Sequence, residues 1–309
     1  MSSINEIHTQ ILVIGAGAAG MATAAGAAGE GVSVLLVDER PRPGGILLQC
    51  IHRGFGLGVY GENLTGPEYC EKEAGRFYAS GVPFLSRAHV IGIRSERTAL
   101  ISSPEGLYQC FFDQCVLAAG CREKNLYSLD ISGTRPTGIY TAGEAQEMMN
   151  LGHYDIGSRA VILGSGDIGQ IVARRLVLTG RNVAAMVEMK DHLGGLKRNQ
   201  KECIEAYAVP VILGATVTEI HGYPRLTGVT VKHLDTGTQE IISCDMLITA
   251  LGLVPDTSTA DSLKGEEGFP EWLHLCGNAE YIHEIVDSVT REGLRLGRAL
   301  GCSLAGKRA

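Results

Sequence analysis

The sequence predicts an α/β protein built as two tandem copies of one three-layer unit, each a parallel sheet flanked by helices with an antiparallel meander attached. Three observations predict it. The chain has 309 residues, 45% of them apolar, enough for roughly two domains of about 150 residues with real cores. It holds 41 glycines but only 6% aromatics, a balance that favours tight turns and close backbone approaches. The plan is also read twice: "QILVIGAGAAGMATAAGAAGEGVSVLLVDERPRPGG" is answered by "RAVILGSGDIGQIVARRLVLTGRNVAAMVEMKDHLGG".

In each copy an apolar, β-rich run enters a Gly-rich turn, and a helix follows. A second apolar run ends on an acid, and a Gly-Gly pair closes the stretch, Gly44-Gly45 and Gly194-Gly195. The parallel continues downstream. "ASGVPFLSRAHVIGI" and "AYAVPVILGATVTEI" both read as a helix end, Val-Pro, then a strand entering a meander. "FDQCVLAAG" and "CDMLITALG" both read as buried strands, ending at Gly120 and Gly252. Strands alternating with helices imply a parallel sheet in each copy, and one long repeat implies two related domains rather than a solenoid.

The two glycine turns carry the chemistry. Gly15, Gly17 and Gly20, with Ala18 and Ala19 between them, form G-x-G-x-x-G directly after a strand. The first glycine permits the turn, the second lets a pyrophosphate approach the backbone, and the third lets helix pack on strand. The anion then meets free N–H groups at a helix N-terminus. Asp38, 23 residues after Gly15 and followed by Glu39, stands where an acid accepts ribose hydroxyls. Gly164, Gly166 and Gly169, enclosing Asp167 and Ile168, repeat the pattern, with Glu188 as the acid 24 residues on. An acid there favours a free 2′-hydroxyl and repels a 2′-phosphate, so NAD(H) is expected over NADP(H). Both copies are therefore Rossmann-like dinucleotide-binding units. The competing readings are a bare structural turn in the first copy and, in the second, a decayed duplicate whose glycines survive for packing.

Composition excludes other classes. A net charge of −7 argues against a nucleic-acid binder. The polar start "MSSINEIHTQ" lacks a signal core, and no stretch reaches the roughly 20 apolar residues that span a bilayer. Nine cysteines include no C-x-x-C pair. An odd number of free thiols suits a reducing compartment, so a cytoplasmic protein is expected. No metal-ligand spacing, P-loop or Ser/His/Asp set is present.

The paired motifs resemble the two-dinucleotide-binding-domain flavoproteins, the pyridine nucleotide–disulfide oxidoreductase superfamily that includes thioredoxin reductase. That resemblance implies an FAD domain, residues 1–135 plus 254–309, interrupted by an NAD(P)H domain, residues 136–253. It carries Gly15, Gly17, Ala18, Ala19, Gly20, Asp38 and Glu39 to the ADP end of FAD. Gly44 and Gly45 would pass the pyrophosphate and ribityl chain, Val90 would lie beside the adenine, and Ala119 and Gly120 would lie against FAD at the exit strand. Gly277 and Asn278 match a Gly-Asp pair at the ribityl chain, before a helix directed at the flavin pyrimidine. His283, placed at the start of that helix, is a candidate to stabilise reduced flavin. Gly164, Gly166, Asp167, Ile168, Gly169, Glu188 and Gly252 are carried to NAD.

The dithiols of that superfamily are missing. "GIYTAGEAQEMMNLGHYDIG" has no cysteine, and "GGILLQCIHRGFG" holds Cys50 alone. These strings, with "LTGPEYCEKE" and "LCGNAEYIHEIVD", are similar to flavoprotein subunits of glycerol-3-phosphate, opine, sarcosine and proline dehydrogenase systems. That implies an electron-transfer subunit exchanging hydride between NAD(H) and FAD. Its partners would be a second flavoprotein dehydrogenase subunit, together with a small cysteine-rich or iron–sulfur protein, and a homo-oligomer is left open. Two other readings stand beside it: a stand-alone disulfide or peroxide reductase using Cys50, its thiol activated by His52 or Arg53, and a non-catalytic FAD-binding scaffold.

Overall fold

A computed structural model describes residues 4–306. Among the described residues, six α-helices follow in chain order: α1 (Ala18–Ala28), α2 (Gly66–Ala79), α3 (Ala142–Asn150), α4 (Asp167–Leu178), the short α5 (Lys197–Asn199) and α6 (Val286–Ala305). None is long and apolar enough to cross a membrane. The chain divides into two compact units, residues up to Arg122 with those from Val254 onward, and Glu123–Leu253. Residues 123–135, expected in the first domain, therefore go with the second. The Glu123 carboxylate accepts the Gly143 N–H with both oxygens, each at 2.9 Å, and Ser132–Gly133 pairs with the strand Ala215–His221.

The first unit is built on a seven-stranded sheet. Asn5–Ile14 lies parallel to Val34–Val37 on one side and Gly106–Leu117 on the other, and Leu273–Leu275 runs parallel to the latter. Thr98–Ser103 and His89–Arg94 form the antiparallel meander. The first strand is exposed at its start and fully buried from Ile11 to Ile14, so the core lies under the Gly15 turn. Helix α1 is buried almost all round, which its alanine-rich sequence permits. It packs on α6 along Gly293, Gly297 and Gly301. A Cβ at Gly297 would stand 2.1 Å from the Thr23 carbonyl oxygen, so the two helix backbones touch. Helix α2 starts on a capping box: Glu68 accepts the Thr65 N–H at 2.7 Å and donates its own N–H to Thr65 Oγ1, satisfying donors that a helix start leaves free.

The second unit repeats the plan. Its parallel sheet runs Ile139–Thr141, Met246–Thr249, Arg159–Leu163, Asn182–Val187, Val211–Ile212. A smaller sheet joins Ala215–His221, Gly228–His233 and Gln239–Ser243 in antiparallel fashion. Val161 and Ile162 are fully buried and Leu163 nearly so, again directly before the glycine turn.

Candidate dinucleotide-binding sites

In the first unit, backbone geometry assigns each motif glycine a different reason to be glycine. Gly15 has φ +100°, and a Cβ there would meet the Ala118 carbonyl oxygen at 2.4 Å. Gly20 would drive a Cβ into the Gly15 carbonyl oxygen. Gly17, the N-cap of α1, has φ −74°, and no protein atom lies within 4 Å of where its Cβ would be. Nothing in the protein itself demands a glycine at that position. The Gly-Gly turn lies against it: Gly44 N–H donates to Ala16 O at 2.8 Å, and a Cβ on Gly45 would approach Gly17 Cα at 3.3 Å. Asp38 binds this turn with both oxygens, accepting the Ala16 N–H at 2.6 Å and the Arg40 N–H at 2.7 Å.

The second unit reproduces the arrangement. Gly164 has φ +101°, with the Ala250 carbonyl oxygen 2.3 Å from its would-be Cβ, and Gly169 packs on Gly164 O, whereas Gly166 again faces open space. Glu188 accepts the Ser165 N–H and the Lys190 N–H, each at 3.0 Å, as Asp38 does in the first copy. Burial opposes its ionisation, but the hydrogen bonds from Ser165 and Lys190 outweigh it and hold the carboxyl below the usual glutamate range. Residues 193–200 fold back on the motif. Gly194 N–H donates to Ser165 Oγ at 2.8 Å, and Asp167 Oδ1 accepts from Leu196 N–H at 2.8 Å and Asn199 Nδ2 at 2.7 Å. Ile168 is half-buried against this unit's core. Gln170, which carries no motif signal, is fully buried and donates Nε2 to both Ser165 O and Gly194 O.

These turns suit the pyrophosphate of a dinucleotide. The first and third glycines are demanded by the fold. The second is left open at a helix N-terminus in both copies, a space that a Cβ would fill and an anion can approach. Gly17 and the start of α1 with Asp38 would hold FAD, and Gly166 and the start of α4 with Glu188 would hold NAD(H).

The other expected positions divide. Gly120 and Gly252 both adopt positive φ with open space at the Cβ position, and Ala119 is exposed beside Gly120. Val90 has its side chain in the core of the first unit, so only its backbone faces outward. Glu39 is exposed, 3.7 Å from His89 Nδ1. Gly277 has φ +64°, and its N–H donates to Glu292 Oε1 at 2.6 Å.

One expectation is corrected in this region, the start of the last helix. Helix α6 begins at Val286, so His283 lies in the preceding turn rather than at the helix start. Its side chain is only 3% exposed, with Nε2 2.7 Å from Glu292 Oε2. That contact is an ion-pair approach without hydrogen-bond alignment. Its Nδ1 faces Asn278 Oδ1 and Tyr281 O, so both ring nitrogens lie against protein groups. Asn278 is turned inward as well: Oδ1 accepts the His283 N–H at 3.0 Å and Nδ2 points at Cys121 Sγ at 3.7 Å. His52 Nδ1 contacts Arg53 O and the Arg53 guanidinium donates to Asn63 O, while burial pushes the Cys50 thiol up to about 12.

A second group of residues escapes motif reading. Asp287, in the first turn of α6, accepts Gly56 N–H at 3.2 Å and Val59 N–H at 2.7 Å. Glu73 on α2 is fully buried and accepts the Tyr60 hydroxyl at 2.5 Å. The available signal was an acid in each case at a position whose helical neighbours are buried, Asp287 with Thr290 and Glu73 with Phe77.

Known proteins share this arrangement. Hydrogen cyanide synthase subunit HcnB of Pseudomonas protegens is 27% identical over 297 residues, 87% of this chain and 62% of that protein. An opine oxidase subunit of Agrobacterium tumefaciens is 30% identical over 182 residues, 55% of this chain and 35% of that protein. The chain thus spans about three fifths or less of these relatives' length. Thioredoxin reductase of T. acidophilum superposes with a TM-score of 0.76 over 96% of this chain and 99% of that one, at 20% identity, a likeness of fold. The profile of the pyridine nucleotide-disulphide oxidoreductases, a family of flavin-dependent oxidoreductases, matches residues 9–269, and the chain belongs to that family.

Proposed function

We propose that this chain is the NAD(H)–FAD electron-transfer subunit of a multicomponent dehydrogenase of the glycerol-3-phosphate, amino-acid or opine type. The observation that carries this reading is the matched pair of open second glycines, Gly17 and Gly166, in a chain without the family's redox dithiol. Two dinucleotide turns provide for two cofactors. With no dithiol, and with the Cys50 thiol pushed up to about 12 by burial, a thiol relay has no support, and the electrons need another redox centre as their source or acceptor. Relatives named as subunits of hydrogen cyanide synthase and opine oxidase support a partner subunit; in this reading it is a flavoprotein dehydrogenase subunit, with a small cysteine-rich or iron–sulfur protein between the two.

Bound together, the cofactors would supply hydride exchange between nicotinamide C4 and flavin N5. The chain's own residues would orient and select: Asp38 and Glu188 fix the two glycine turns and receive riboses, and the starts of α1 and α4 receive pyrophosphates. Glu188 makes NAD(H) the preferred nicotinamide.

The test is an anaerobic titration of the purified, FAD-loaded chain with NADH, followed at the flavin band. Bleaching complete at about one NADH per flavin is expected. Uptake of a second equivalent would reveal a further redox centre and reinstate Cys50. Bound flavin that NADH leaves oxidised, with or without a dehydrogenase partner, would make the chain a scaffold.

A further inference from the structure

We propose that Asp287 is a positioning residue: it latches the loop Phe55–Tyr60 onto the first turn of α6 and thereby holds the packing beside the pyrophosphate turn of the first site. The proposal rests on the reading that the first unit holds FAD.

The geometry is specific. Asp287 is 3% exposed and commits each carboxylate oxygen to a different loop amide, Oδ2 to Gly56 and Oδ1 to Val59. One helical turn on, Arg291 donates from Nη2 to the Gly58 carbonyl. The loop's donors and its acceptor are therefore gripped by two side chains at i and i+4, which share one helix face. The approach is close: a Cβ on Gly58 would lie 2.9 Å from Arg291 Nη2 and 3.4 Å from the Asp287 side chain. Two further bonds fix what surrounds it. The Tyr60 hydroxyl donates to Glu73 on α2, and Tyr69 on α2 meets Thr290 on α6 at 2.7 Å.

A buried carboxylate is costly unless its oxygens are hydrogen-bonded, and both oxygens of Asp287 are. What the carboxylate adds is a fixed distance between the loop and the helix start. That distance matters for the site because the same apolar cluster contains Phe55 and Tyr60 of the loop, Val286 and Val289 of α6, and Ala18 at the start of α1. Loosening the loop therefore loosens the packing around the pyrophosphate turn. The N-cap of α6, Ile285, has no side-chain cap of its own, so Asp287 is also the residue that gives this helix start its tertiary anchor.

The test uses the full chain loaded with FAD, with Asp287→Asn and, in case that variant folds poorly, Arg291→Met, which alters an exposed side chain. Amide exchange at Gly56 and Val59, the rate of FAD release and the fine structure of the flavin absorption band are measured together. Exchange and FAD release are both expected to rise about tenfold or more and the band to lose its fine structure, while the α1 amides keep their protection. Arg291→Lys, which retains a donor for the Gly58 carbonyl, should restore FAD release. Faster exchange with unchanged release and spectrum would overturn the proposal, as would unchanged exchange. A wild-type chain that takes up no FAD would instead overturn the reading of the first site, and the latch with it.

Discussion

Oε2 of Glu188 lies 3.0 Å from the Ser165 amide nitrogen, the counterpart in the second unit of Asp38 and Ala16. In the proposed nicotinamide site this acid would face the 2′-position of the ribose. Burial works against the charge, yet the Ser165 and Lys190 hydrogen bonds win and the carboxyl sits below its usual range. NADH should therefore reduce the flavin at least about tenfold more efficiently than NADPH, with the preference unchanged between pH 6 and 8 because the group stays ionised throughout. Glu188→Gln should weaken NADH and narrow that ratio, read from kcat/KM with the two nucleotides. Equal use of both by the wild type would remove Glu188 from its selecting role.

Gly17 and Gly15 separate cofactor binding from folding within three residues. Gly17→Ala enters open space at a negative φ and should change stability by no more than about 0.5 kcal/mol, while FAD affinity falls about tenfold or more. Gly15→Ala meets the Ala118 carbonyl oxygen at 2.4 Å with φ at +100° and should cost several kcal/mol, on the order of 3, whether or not flavin is present. Thermal melts of the flavin-free chains and flavin fluorescence titrations give the two readouts. Unchanged FAD affinity in Gly17→Ala would show that the open space is not a pyrophosphate cradle.

Cys50 offers a simple exclusion. With its thiol pushed up to about 12 by burial, Cys50 is disfavoured as a thiolate at pH 7. Cys50→Ser should leave NADH-dependent flavin reduction within about twofold of wild type, and carboxymethylation of Cys50 in the native chain at pH 7 should be slow. A loss of turnover with disulfide or peroxide substrates in Cys50→Ser would restore the single-cysteine mechanism.

What was legible in the sequence was what local backbone geometry dictates. Gly15 and Gly164 need positive φ, Gly20 and Gly169 need close packing, and the strands before them are continuous apolar runs, so the doubled fold and its turns follow from short windows. Long-range bonds were not legible. The start of α6 was misplaced onto His283 because it is set by Asp287 bonding amides 228 and 231 positions earlier in the chain, with no local capping signal at Ile285. The outgoing domain crossing was placed too late for the same reason: Glu123 reaches forward 20 positions to the Gly143 N–H at the start of α3. The bond between Asn278 Oδ1 and the His283 N–H and ring was not legible either.

Glu73 gives the chain a distinctive pH dependence. It is fully buried on α2, accepting the Tyr60 hydroxyl and lying 3.4 Å from Arg76 Nη1. Desolvation raises its pKa, against the opposing pull of the Tyr60 hydrogen bond and Arg76. An acid whose folded pKa lies above its unfolded value of about 4.3 contributes stability that is fully present below that value and lost as pH rises through the folded pKa. Ionising this carboxyl is thus a cost to the first unit, and the group is retained for the position it gives Tyr60. Glu73→Gln keeps an acceptor for the Tyr60 hydroxyl and removes the ionisation. Its stability relative to wild type should therefore grow as pH rises from 4 to 8, measured by denaturant unfolding across that range. A difference that stays flat with pH, or that shrinks as pH rises, would mean that Glu73 is ionised in the fold at no net cost and that Arg76, not the protonated form, satisfies it.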